Sequence, residues 1–392
     1  MTTQSRNLKA GVFLPPFHPT DEDTTLLMER DIELMQWLDR VGFAEAWIGE
    51  HHSGGYEIYG CPELFIAAAA MVTKNIRLGT GVISVPYHNP LILADRICQL
   101  DHQTRGRAMF GFGPGLLPSD AIMLGIDPEV QRDRMIEGID IITRLFNGEI
   151  ITKETDWYTL KNARLHLQPY TKPRPYMAIA SSATPNGGKV AGKYATGMIS
   201  VAAGARDGYD ALDTNWRLAN EISAAHGRTM QRSEWRLMAP FHIAETREQA
   251  LADCREGFKK WEIYGYSVSP NGGAAIGLPS LEGINANGYG CIGTPEEALV
   301  VLERFWEKTG GFGTILMLAH DFANWEATKR SYELFANYVL PKFNATNNWR
   351  NESMGWLKDN NVPFAQRRND AMMHTIQKHF AEEAAKKKTA AE

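Results

Sequence analysis

The run Glu50-His51-His52-Ser53-Gly54-Gly55 sets a carboxylate beside two imidazoles, where an apolar stretch stops and a glycine loop begins. Histidine titrates near neutral pH, so it suits moving a proton or holding a polar ligand. In extended backbone alternate side chains share a side, so Glu50 and His52 face one way and His51 the other. Adjacent histidines chelate poorly and no HExxH spacing is present, which argues against a metal. Two roles stay open: histidines hydrogen-bonded into a rim, or an acid–base or cofactor-contacting group.

Two further stretches carry possible chemistry. Gly111-Phe112-Gly113-Pro114-Gly115 lets a ligand approach the backbone, or is a plain turn. Its GxGxG spacing after the fourth strand departs from the dinucleotide fingerprint, GxGxxG after the first. Ser181-Ser182-Ala183-Thr184 precedes a predicted helix, where hydroxyls and free amides cradle an anion or simply cap the helix. Arg132 and Arg134, on a helix after the fourth strand, either reach that anion or are surface charges.

These residues need a scaffold. Short apolar runs alternate with amphipathic stretches along most of the chain. Strands are predicted at 8–14, 45–49, 76–85, 107–112, 176–180, 197–201, 234–244 and 313–318. Helices are predicted at 21–41 (capped by Thr20), 62–72, 90–103, 120–124, 129–146, 186–194, 209–226, 247–264, 295–308 and 325–339. Eight strand–helix units imply a parallel sheet and fit a closed (β/α)8 barrel with insertions, with an open doubly wound sheet as the rival. In such a barrel the loops after the strands carry the function. An insertion at 148–175 bears short strands, and the glycine-rich stretch 265–290 lacks periodicity. The barrel domain is expected over 1–343. Residues 344–392 read as a helical extension, partly disordered, without chemistry of its own.

Composition narrows the class. Of 392 residues, 44% are hydrophobic, enough for a large core, and the net charge of −5 comes from both signs mixed along the chain. A nucleic-acid surface needs a clustered basic patch, so no nucleic-acid partner is expected. Cys61, Cys98, Cys254 and Cys291 form no CxxC pair, so neither a disulfide framework nor a zinc site is expected. The longest apolar run, 64–72, is too short for a bilayer, and the N-terminus lacks a signal-peptide hydrophobic region. A cytoplasmic protein is the expectation.

Three segments, "AWIGEHHSGG", "IRLGTGVISVPYHNPLILADRICQLDHQTRGRAMFGFGPG" and "GTPEEALVVLERFWEKTGGFGTILML", together resemble the bacterial luciferase-like family of flavin-dependent monooxygenases, over about 9–343. The limonene monooxygenase-like group is the most similar. The resemblance implies a (β/α)8 barrel with the flavin ring on the C-terminal rim, beside Thr80, Gly81, Val82 and Gly113. It implies a non-proline cis peptide at Gly81-Val82. The active-site histidine maps to His51, with Glu50 and His52 orienting it. The flavin phosphate maps to Ser181, Ser182 and Thr184, with Arg132 or Arg134 as charge partner. Gly113 and Pro114 stand where luciferase has a reactive cysteine and a phosphate-binding arginine, so light emission is not implied. The stretch 265–290 matches a mobile active-site loop.

On this resemblance the chain is a two-component monooxygenase. Reduced FMN arrives from a separate flavin reductase, reacts with O2 to a flavin peroxide, and oxygenates a small molecule. A homodimer is implied. Phe13, Pro15, Pro16, Phe17, His18, Tyr56, Tyr59, Tyr87, Phe112 and Leu116 fall near the rim and suggest a hydrophobic terpene, ketone or aldehyde. A polar heteroaromatic is the alternative substrate. The competing readings are a deazaflavin-dependent dehydrogenase, a non-catalytic flavin-binding homologue and a metal-dependent barrel hydrolase.

Overall fold

The computed structural model describes residues 6–15, 17–268, 280–319 and 321–390. Eight strands close into a barrel: β1 (Lys9–Leu14), β2 (Glu45–Ile48), β3 (Arg77–Ser84), β4 (Ala108–Gly113), β7 (Tyr176–Ser181), β8 (Gly197–Ser200), β9 (Trp235–Ala239) and β12 (Thr314–Leu318). All neighbours pair parallel, and β12 returns to β1 with Lys9 beside Thr314. Parallel strands are covered on both faces and so read as near-continuous apolar runs. In β2, all four residues are buried.

Alternate strand residues divide between two cores. Trp47, Met109, Ala178, Ile199 and Leu316 belong to one buried cluster. Ala46, Ile48, Phe110, Ile179, Met198 and Ile315 belong to the other, shared with the helices. Period-two alternation is what produces this division. Trp47 claims so much room that its neighbour must be glycine: a Cβ on Gly79 would lie 2.6 Å from the Trp47 ring. Arg236 stands 5.4 Å from that ring and is clamped by Glu45 through two 2.7 Å hydrogen bonds. Glu45 opens β2 and Arg236 lies near the start of β9, so this buried pair plugs the N-terminal end and leaves the other end for a site.

The helices start where local chemistry permits. The first, α1 (Thr24–Val41), is capped by Asp23, whose side chain accepts from the Leu26 N–H. This corrects the Thr20 cap. The second and third, α2 (Pro62–Val72) and α3 (Pro90–Gln103), open on prolines, which lose nothing at a position whose N–H has no partner. Next come α4 (Pro118–Met123) and α5 (Gln131–Phe146), then the antiparallel hairpin of β5 (Ile151–Glu154) and β6 (Thr159–Ala163) inside 148–175. After β7 comes α6 (Asn186–Tyr194), and after β8 comes α7 (Arg206–Ala225).

Three expectations change. The predicted strand 234–244 is two: β9 stays in the barrel, whereas β10 (Phe241–Ile243) pairs with β11 (Cys291–Gly293). Pro240 stands between them, with no N–H to continue the ladder. The stretch 265–290 is not one irregular loop. The helix α8 (Arg247–Val268) runs into it and α9 (Leu281–Asn287) occupies its end, while 269–279 lie outside the described residues. The last barrel helix does not stop before Pro341. Following α10 (Pro295–Thr309), α11 (Trp325–Leu334) passes through a π turn, Phe335–Val339, into α12 (Leu340–Phe343).

Residues Arg6–Phe343 form one compact unit and the chain from Asn344 another. The second consists of α13 (Asn348–Asp359) and α14 (Asn361–Thr389), neither with a buried residue. Among the described residues no helix is long and apolar enough to cross a membrane.

Candidate active site

A cavity of about 600 Å³ opens at the C-terminal ends of the strands. Every barrel strand contributes to its wall, or the residue just after it does: Phe13, Gly49, Val82, Pro114, Ser181, Val201, Met238 and Leu318. Gly81 and Val82 line it too, and the peptide between them is cis, as the resemblance implies.

One end suits an anion. Ser181 closes β7, and Ser182, Thr184 and Asn186 lead into α6, all on the cavity wall. The helix start seats tightly on the strand, because a Cβ on Gly187 would lie 2.4 Å from the Ala180 carbonyl oxygen. First-turn N–H groups have no partner within a helix and attract negative charge. The Ser181 hydroxyl is buried without a hydrogen-bond partner. Arg132, from α5, brings a guanidinium to the same wall. An orphaned hydroxyl, free helix-start amides and an arginine fit a phosphate ester.

Another part of the wall, after β2, is ionic. Glu50 accepts the Ser84 N–H at 2.7 Å, and its other oxygen meets His88 Nε2 at 2.7 Å and His52 Nε2 at 3.1 Å. Burial opposes its charge, but these hydrogen bonds outweigh burial and hold the carboxyl below its usual range. His51 is bonded elsewhere. Its Nδ1 lies 3.1 Å from Asp120 Oδ2 and its Nε2 lies 2.6 Å from Glu57 Oε2. Burial opposes the imidazolium, yet the two carboxylates push its pKa up to about 10. Asp120 also accepts from the His52 N–H at 3.1 Å and from the Ser53 hydroxyl. Glu57 accepts from the Tyr264 hydroxyl at 3.2 Å.

The family model described as luciferase-like monooxygenase matches residues 8–362. The chain belongs to the luciferase-like monooxygenase family. It is 46% identical over 345 residues to limonene 1,2-monooxygenase of Rhodococcus erythropolis, covering 88% of this chain and 89% of that one. It is 41% identical over 357 residues to 4-hydroxyprotoasukamycin monooxygenase of Streptomyces nodosus subsp. asukaensis, covering 89% and 96%. Among solved structures it is similar to the FMN complex of the oxygenating constituent of 3,6-diketocamphane monooxygenase from Pseudomonas putida. There the TM-score is 0.73, with 24% identity and coverage of 86% and 99%.

Several residues assigned to the site of this luciferase-like monooxygenase stand elsewhere. Thr80 is fully buried, and its hydroxyl exchanges hydrogen bonds with the Gly111 N–H and C=O, which stitches β3 to β4. Gly113 is covered by Val82, which a Cβ there would meet at 2.6 Å, so Pro114 and Gly115 form the wall instead. Arg134 turns outward to Asp156 at 2.9 Å and lies over Trp157, because two steps along a helix turn a side chain through more than half a circle. His52 stands behind Glu50, edge-on to Tyr87, off the wall. The Glu50 carboxylate and the His52 ring bond to each other and not to His51, whose ring is held by Glu57 and Asp120.

Apolar residues on the wall include Phe13, Pro15, Leu116, Met238, Trp261 and Leu318. Phe17 and Tyr56 pack behind it, stacked at 5.2 Å. His18 and Tyr59 are tied to Asp31 at 2.8 and 2.9 Å, and Tyr87 and Phe112 also fall off the wall, while Pro16 lies outside the described residues. Glu57, Asp120 and Trp261 escaped the sequence reading. No motif marks the two carboxylates, and Trp261 looks like one more apolar position on a helix.

Proposed function

We propose that this luciferase-like monooxygenase binds reduced FMN and uses O2 to oxygenate a small, largely apolar molecule. The observation that carries this is the cavity's unlike ends, an anion cradle at the start of α6 and an apolar wall facing an ionic cluster. Bound there, reduced flavin supplies the electrons that activate O2.

The chain's own residues do the rest. Ser181, Ser182, Thr184 and the first amides of α6 would hold the phosphate, with Arg132 neutralising it. Gly81 and Val82 offer a wall that a flat ring system can approach closely. Phe13, Met238, Trp261 and Leu318 would receive the substrate and keep water out, which protects a reactive oxygen species from wasteful decay. The limonene monooxygenase relative supports a terpene or a ketone derived from one. Delivery of reduced flavin falls to a separate reductase, because the glycine loop 111–115 lacks the spacing that holds a nicotinamide dinucleotide.

The test couples the protein to a flavin reductase, FMN and a panel of terpenes and cyclic ketones. The expected result is O2 uptake that depends on both flavin and substrate, with one oxygen atom in the product. Hydride transfer to a deazaflavin without O2 uptake would replace this reading with the dehydrogenase one. Failure of every flavin form to bind would end it.

A further inference from the structure

His51 has a carboxylate against each ring nitrogen: Asp120 at 3.1 Å from Nδ1 and Glu57 at 2.6 Å from Nε2. A neutral imidazole has one N–H and one lone pair. In either neutral tautomer, the lone pair would press against a carboxylate oxygen. The other way to relieve that clash is to protonate a carboxylate. Asp120 is held charged, since His51, the Ser53 hydroxyl and the His52 N–H outweigh its burial. Glu57 Oε2 is buried 2.6 Å from Nε2 and has no other partner, so His51 is the group its charge faces. An imidazole is a stronger base than a carboxylate, so a proton between the two rests on the ring.

We propose that Glu57 and Asp120 are positioning residues that keep His51 a permanent imidazolium, so that it acts through its charge and not as a general base. With both N–H groups engaged, no lone pair is left to take a proton. The surroundings are consistent. From the loop after β2, Glu50 is turned to His52 and His88. From α4 comes Asp120, and from α8 the Tyr264 hydroxyl steadies Glu57. His52 is the neighbouring group that opposes a second positive charge, and Glu50 lies against it. The imidazolium and its two carboxylates sum to one negative charge, and His51 and Glu57 are the members that reach the cavity.

The test is a titration of the ligand-free full chain, so it stands apart from the oxygenase reading. Ring signals of the eleven histidines are followed by NMR from pH 5 to beyond pH 10, and that of His51 is assigned by its loss in His51→Gln. The expected result is a His51 ring protonated on both nitrogens past pH 8, titrating near 10. Glu57→Gln and Asp120→Asn should each lower that midpoint by about 1–3 pH units. A single protonated nitrogen at pH 7, or a midpoint below pH 8, overturns the proposal. If either variant does not fold, the wild-type titration decides alone. In the rate–pH profile, the wild type should show no His51 inflection between pH 6 and 9, and Asp120→Asn should acquire one between about pH 7 and 9. A wild-type inflection there that His51→Gln abolishes would make His51 a base after all.

Discussion

Asp120 and His51 lie 69 positions apart and meet at 3.1 Å, carboxylate against imidazole. One follows β4 and the other follows β2, and closure of the barrel around β3 brings both to the same rim. The rim histidine owes its charge to this meeting and to Glu57, so the charge is a product of the fold.

Alkaline stability follows from that charge. The folded-state pKa of His51 is raised from 6.5 to about 10. Its contribution to stability is therefore complete below pH 6.5, shrinks as pH rises, and is gone once pH passes about 10. Melting temperature should fall between pH 7 and 10, and His51→Gln should fall less steeply over the same range. Parallel slopes in calorimetry would show that His51 is not the group responsible.

Arg132 and Arg134 should behave unlike each other. Arg132 lines the cavity that the α6 start also lines, whereas Arg134 is paired with Asp156. Arg132→Ala should weaken FMN by about 1.5–3 kcal/mol, or roughly 10- to 150-fold in Kd, and leave riboflavin, which has no phosphate, nearly unchanged. Arg134→Ala should stay within about twofold for both. Flavin fluorescence titrations decide it. Equal losses in the two variants would move the phosphate elsewhere.

The plug at the other end of the barrel is a stability element. Glu45 holds Arg236 by two hydrogen bonds, and it also accepts from the Trp47 indole at 3.0 Å. Glu45→Gln should cost about 2–4 kcal/mol, because it leaves the buried guanidinium with only the half-exposed Glu234 carboxylate, 3.3 Å away, as counter-charge. Denaturant unfolding measures this. Flavin affinity under native conditions should hardly change, since the plug faces away from the cavity.

Much of this protein was written in its local sequence. Strand and helix positions follow from periods of two and 3.6, and eight alternations of them leave few closed arrangements. Glu50 and His52 were expected to share a side; the structure puts both in the loop after β2 and bonds them to each other at 3.1 Å. The serines before α6 were legible in the sequence as either a helix cap or the anion cradle proposed above, because a helix start has free amides wherever it occurs.

What only the tertiary structure decided is which polar groups meet across the rim. Thr80 could have faced a ligand; its bond to Gly111 depends on β4 lying alongside. Arg132 and Arg134 differ only in rotation about a helix whose packing sets the angle. Glu57 and Asp120 carry no motif, because an ion pair needs proximity and proximity here comes from strands that are distant in sequence. Periodicity is a property of neighbouring residues and survives in the sequence, whereas the charge state of His51 depends on where two remote carboxylates come to rest.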